Sequence, residues 1–111
     1  MSRALLVLRN AARELHVYRT PDRTTVPPRG IPRITMWDHE NSRGVVLSRE
    51  SAVEIAQALL DGTEHQWGST ATEQKIALHH GALRIHPLSF PLTKESREAI
   101  ATALFEMVMQ P

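Results

Sequence analysis

Cysteine is absent from the 111-residue chain. Disulfides, thiolate nucleophiles, Cys-bearing zinc sites and iron–sulfur clusters are therefore excluded. No apolar run reaches the ~18 residues needed to span a bilayer, so no membrane partner is expected. The apolar stretch Ala4–Leu8 is too short for a signal-peptide core, and the expected location is cytoplasmic. Glycine numbers 5 and proline 7, which leaves little loop from which to build a deep pocket. No glycine-rich loop cradles a phosphate, and no serine sits in a nucleophile-elbow context. Asp38-His39-Glu40 sets acid beside base, but on a strand or in a turn these side chains splay apart. The chain therefore reads as not an enzyme, with no catalytic residue and no cofactor. A metal-dependent hydrolase assembled from distant residues is the minor alternative.

Hydrophobic residues make up 41% of the chain and charged residues 23%, which suits one domain, 1–111, with a buried core. Residues 2–13 are ambiguous. Leu5, Leu8, Ala12 and Leu15 follow the 3-4-3 spacing of a helix face, whereas Ala4–Leu8 also reads as a short strand; the spacing leans to helix. Glu14–Thr20 alternates as a strand, with Leu15 and Val17 on one face and His16 and Tyr18 on the other. Residues 20–32 carry Pro21, Pro27, Pro28, Pro32 and Gly30, which argue against a helix interior or a central strand. They are expected to form an extended basic loop.

Arg33–Asp38 and Val45–Leu47 read as a strand pair around a polar turn. Ser48 then caps a helix through about Asp61, which Gly62 closes. Thr63–Thr72 looks like a linker, within which Thr70–Glu73 fits a capping box. Further on, a two-residue turn at His80-Gly81 puts Leu78 opposite Leu83 and Ile76 opposite Ile85, all on one face. Pro87 breaks that parity, and Leu88, Phe90 and Leu92 resume it.

Leu47-Ser48-Arg49-Glu50-Ser51 recurs as Leu92-Thr93-Lys94-Glu95-Ser96, 45 residues on. At that offset Ile55, Ala56 and Leu59 match Ile100, Ala101 and Leu104. The expected fold is α+β: two ββα units, about 33–62 and 74–110, giving one antiparallel sheet with both helices on one face, plus an N-terminal helix or strand. Edge strands near Phe90 or Leu15 would allow a homodimer. The segment Val45–Leu60 resembles a pattern found in small uncharacterised proteins of actinobacteria and their phages. The resemblance implies a phage or mobile-element origin and no activity.

The net charge of +1 hides an asymmetry. Residues 1–45 carry +4 and residues 46–111 carry −3, and arginine outnumbers lysine eleven to two. Such a split marks either an anionic partner surface or two halves that attract each other. Arg19, Arg23, Arg29 and Arg33 suit phosphates, and Tyr18 and Trp37 suit stacking on bases. The helices carry Glu50, Glu54, Glu95, Glu98 and Glu106, which disfavours a recognition-helix mode. The six histidines do not suggest a metal site: His79 and His86 lie roughly 13 Å apart at strand rise, and His80 falls in a turn. The leading expectation is a non-enzymatic interaction module, a phage or accessory protein that binds a host protein. The alternative is a nucleic-acid-binding protein that uses the basic segment 19–33.

Overall fold

A computed structural model describes residues 4–22, 24–27, 29–69 and 72–109. The ambiguous N-terminal segment is a strand, β1 (Ala4–Asn10), and not the helix its spacing leans to. Leu6 and Leu8 pack against the core while Leu5 and Val7 are 51% and 43% exposed, so the operative period is two. The chain returns as β2 (Arg13–Asp22), β3 (Arg29–Asp38) and β4 (Asn41–Val46), an antiparallel meander in sequential order. Helix α1 (Arg49–Asp61) follows. Ser48 Oγ accepts from the Ser51 N–H at 3.0 Å, and Gly62 ends the helix at φ 77°, its N–H donating to the Ala58 carbonyl.

A second, smaller meander then forms: β5 (His65–Gly68), β6 (Lys75–His79), β7 (Ala82–Ile85) and β8 (Leu88–Pro91). Its helix is α2 (Lys94–Met109), capped by Thr93, whose Oγ1 accepts from the Ser96 N–H at 3.1 Å. The turn at His80-Gly81 and the pairing of Leu78 with Leu83 are as expected.

The architecture is α+β, and both helices begin as the sequence indicates. The finer expectation does not hold in detail: in place of two ββα units the chain forms two successive segments of four strands and a helix, and in place of one sheet there are two. β1 is the strand alternative of the ambiguous N-terminal segment, whereas β5 was not anticipated: it lies within the supposed linker with Trp67 as its one buried side chain. The strands of the first unit have 7, 10, 10 and 6 residues against 4, 5, 4 and 4 in the second, so a single offset aligns the helices and loses the strands. Thr70 and Ala71 of the expected capping box lie outside the described residues.

The basic loop is also corrected. Much of 20–32 is strand, since β2 and β3 are the central strands of the first sheet and contain Pro21 and Pro32. Their ribbon outruns both neighbours, because β1 pairs no further than Tyr18 and β4 no further than Arg33. Beyond those points each strand has a partner on one side only, the edge situation that proline tolerates. Pro32 still supplies its carbonyl, which accepts from the Leu47 N–H at 2.9 Å. Leu15, expected near an edge, is fully buried on central β2, while Phe90 does lie on edge strand β8, facing inward.

One core joins the units. Leu15, Val17, Ile34 and Met36 of the first sheet share it with Ile76, Leu83, Ile85 and Phe90 of the second and with the apolar faces of both helices. The helices pack on each other, and α2 lies on β1, β2 and β3, so the second unit's helix covers the first unit's sheet. In return, Glu54 of α1 accepts from the indole N–H of Trp67 in the second sheet at 3.0 Å. No helix among the described residues is long and apolar enough to cross a membrane.

The helix pair is tied at both ends. Neither helix carries a basic residue in its own last turn, where the terminal carbonyls lack intrahelical donors. Each receives one from the other helix: Arg49 Nη2 donates to the Val108 carbonyl at 2.7 Å, and Arg97 Nε to the Leu59 carbonyl at 2.9 Å. Replacing Arg49 or Arg97 by Met keeps the stem and removes the charged donor. Each change is expected to lower the unfolding free energy by about 1–2 kcal/mol, and the pair to be nearly additive because the sites lie at opposite ends. Urea denaturation of the single and double variants checks this.

Candidate functional site

Strand alternation divides the first sheet into a covered and an outer face. Beneath lie Leu15, Val17, Ile34, Met36 and Val45, all buried. The odd residues of β3 and the even residues of β2 point the other way. Register then sets Glu14 opposite Trp37, His16 opposite Thr35, and Tyr18 opposite Arg33. On the flanks, Arg9 meets Glu14 and Val7 meets His16, while Gly44 lies beside Thr35 and Val46 beside Arg33.

These side chains form a connected layer. The His16 and Trp37 rings stand 4.5 Å apart at 59°. The Tyr18 hydroxyl and Thr35 Oγ1 share a hydrogen bond of 2.9 Å, and Thr35 is the buried polar residue at the centre of the face, 5% exposed. The Arg33 guanidinium lies 5.7 Å from the centre of the Tyr18 ring. It reaches across the strand towards Gly44, where an added Cβ would stand 3.2 Å from its Nη2 and 3.2 Å from Thr35 Oγ1. Glycine thus leaves room for the guanidinium to lie flat. Arg33 Nε is buried there with no hydrogen-bond partner among the described residues.

Glu14 sits at one end of the layer, 3.3 Å from both Arg9 Nε and His16 Nε2. The hydrogen bond with His16, and next the one with Arg9, hold its carboxyl below the ordinary carboxylate range. The pairing is present above the usual carboxyl pKa and is lost as pH falls through the lowered value. Being exposed, it adds little to stability and mainly fixes the orientation of His16 and Arg9.

Of the residues singled out in the sequence, Tyr18, Arg33 and Trp37 come together on this face. Arg29 opens β3 with the same parity, exposed at the far end of the ribbon. Arg19 does not join them. It has the parity of Val17, on the opposite face, and its stem fills the space over Gly30, where a Cβ would collide with Arg19 Cδ. Arg23 lies outside the described residues. His16, Thr35 and Arg9 were missed. Alternation had put His16 with Tyr18 and Thr35 with Trp37, but only the β2–β3 register joins those two pairs.

The layer, with aromatic rings beside a guanidinium, has the chemistry of a surface that stacks on planar groups and attracts anions. Comparison with protein-family models, curated proteins and solved structures finds no match for this chain.

Thr35→Val is nearly isosteric and removes the partner of the Tyr18 hydroxyl. It is expected to cost about 1 kcal/mol in urea denaturation, with an unchanged far-ultraviolet circular dichroism spectrum.

Proposed function

We propose that this protein is a non-enzymatic binding module whose outer first-sheet face takes single-stranded nucleic acid. Tyr18, Trp37 and His16 offer rings on which unpaired bases stack, a mode that tolerates any sequence. Arg33, Arg29 and Arg9 supply cations for phosphates along the same face. The observation that carries the reading is the convergence of Tyr18, Arg33 and Trp37 on one sheet surface. Charge separation supports it. The exposed acids Glu50, Glu54, Glu95, Glu98 and Glu106 belong to the helices, beneath the opposite face, while Glu14 is the acid of the outer face and is paired with Arg9 and His16, so a polyanion meets the sheet more readily than the helices. A ring-bearing sheet face also suits a flexible single strand better than a duplex, whose bases are already stacked.

A second reading, binding of a host protein, is favoured by a different feature. Leu5 and Val7 are exposed on the edge strand β1, a surface on which an extended partner segment could add a strand.

Fluorescence anisotropy with a labelled oligothymidine and with a duplex of equal length tests the first reading. Trp37→Ala and Arg33→Ala are each expected to weaken single-strand binding by about 1–3 kcal/mol. The logarithm of the affinity should fall with the logarithm of salt at a slope near −2, for about three phosphates neutralised. A flat salt response, or full affinity in Trp37→Ala, would sink the nucleic-acid reading. Loss of a captured protein on Val7→Lys, with no oligonucleotide binding by the parent chain, would favour the second.

A further inference from the structure

At one end of the second sheet, beside the β6–β7 turn, three metal-ligating side chains from two segments meet. Glu64 lies in the connection between α1 and β5, His79 closes β6, and His80 opens the two-residue turn. The His80 backbone N–H donates to the Glu64 carboxylate at 2.7 Å, and His79 Nδ1 lies 3.2 Å from the same oxygen. The two imidazole rings stand 3.8 Å apart, tilted by 56°. Adjacent residues on a regular strand point to opposite faces. His80 escapes that rule because its φ is 50°, in the left-handed region, which brings its ring beside that of His79. One donor atom from each of the three side chains lies within 4.8 Å of the other two.

We propose that Glu64, His79 and His80 form a binding site for a late first-row divalent cation, Zn²⁺ in particular. Two imidazoles and a carboxylate are the donor set such ions prefer, whereas Mg²⁺ and Ca²⁺ take oxygen. Zinc bonds of about 2.0–2.2 Å in a tetrahedron set ligands roughly 3.4 Å apart. All three side chains are exposed, so rotation about their own bonds closes the remaining gap. The His80 N–H occupies one carboxylate oxygen and leaves Oε1 for the metal, the kind of orienting contact that raises affinity. A bound ion would staple the α1–β5 connection to the β6–β7 turn and leave a fourth position open. His86 is too far along the strand from His79 to share an ion; the histidine that completes the set is the neighbouring His80, with an acid 15 residues upstream of His79.

The test is calorimetric titration of the full chain, free of any polyhistidine tag and stripped with chelator, with ZnCl₂. One ion per chain and a raised unfolding midpoint are expected. Glu64→Gln, His79→Ala and His80→Asn (asparagine tolerates a positive φ) should each weaken binding at least about tenfold. His86→Ala is the control. It lines the same open cavity of about 710 Å³ as Glu64 and His79 but lies outside the cluster, and it should bind as the parent does. Absence of saturable binding, equal weakening by His86→Ala, or parental affinity in both Glu64→Gln and His80→Asn would overturn the site.

Discussion

A four-stranded sheet is about 19 Å wide, while one helix with its side chains covers about 10–12 Å. The helix that follows each meander therefore cannot bury the apolar face of its own sheet. Two helices side by side can, and this requires the units to share them. The result is the exchange seen here: α2 lies on β1, β2 and β3, and α1 reaches the second sheet through Glu54 and Trp67. A shared core follows, as does an antiparallel helix pair in which each N-terminal half supplies an arginine to the other's last turn. Because both helices lie on the apolar side of the first sheet, its outer face has no helix left to cover it.

On that uncovered face stands the layer of Tyr18, Trp37, His16 and Arg33. The acidic residues of the helices stay on their side of the molecule, and the arginines of β1 and β3 emerge on the other. The charge asymmetry between the two halves of the sequence is carried only in part to this face, since Arg9, Arg29 and Arg33 lie on it whereas Arg13, Arg19 and Arg43 have the opposite parity. It could have closed on itself, with the positive half paired against the negative one. The ion pairs among the described residues do not take that form: Arg9 with Glu14 and Arg13 with Asp38 are both contained within the first sheet.

The legible parts of the fold were those set by short-range rules. The Ser48 and Thr93 caps, the Gly62 stop and the His80-Gly81 turn depend on residues a few positions apart, and each was readable. Strand β5 was not, because an edge strand of four residues with one inward side chain, Trp67, has no period to detect. The same limit applied to β1, where the inward pair Leu6 and Leu8 was masked by Leu5 at a bulge in the β1–β2 register. The prolines misled because their cost depends on whether a strand lies alongside, which is a tertiary fact. The candidate site shows the same boundary. Tyr18, Arg33 and Trp37 were chosen one by one for their chemistry, and Arg19 with them. Parity separates Arg19 from the other three, but only once the strand extends that far into the supposed loop. The acid in the Glu64 cluster comes from a connection that no local pattern links to the turn.

Two physical accounts compete for the aromatic layer. In one, Trp37, His16 and Tyr18 merely shield each other from water on a face that has no cover. In the other, the layer is held ready for a ligand. Mutual shielding accounts for the rings, since aromatic pairs gain about 0.5–1.5 kcal/mol beyond the area they bury. It does not account for Arg33. A long, flexible cation released into water keeps its hydration and its rotamer freedom. Here it is laid flat between Tyr18 and Gly44, with Nε buried and unpartnered, which forfeits about 1–3 kcal/mol for the lost hydrogen bond. Shielding alone would favour a lysine or an outward rotamer. A guanidinium already held between Tyr18 and Gly44 has met part of the ordering cost that binding would otherwise impose. Glycine at 44 and threonine at 35 are the residues that let it lie there, so the sheet surface beneath the rings is shaped around the cation.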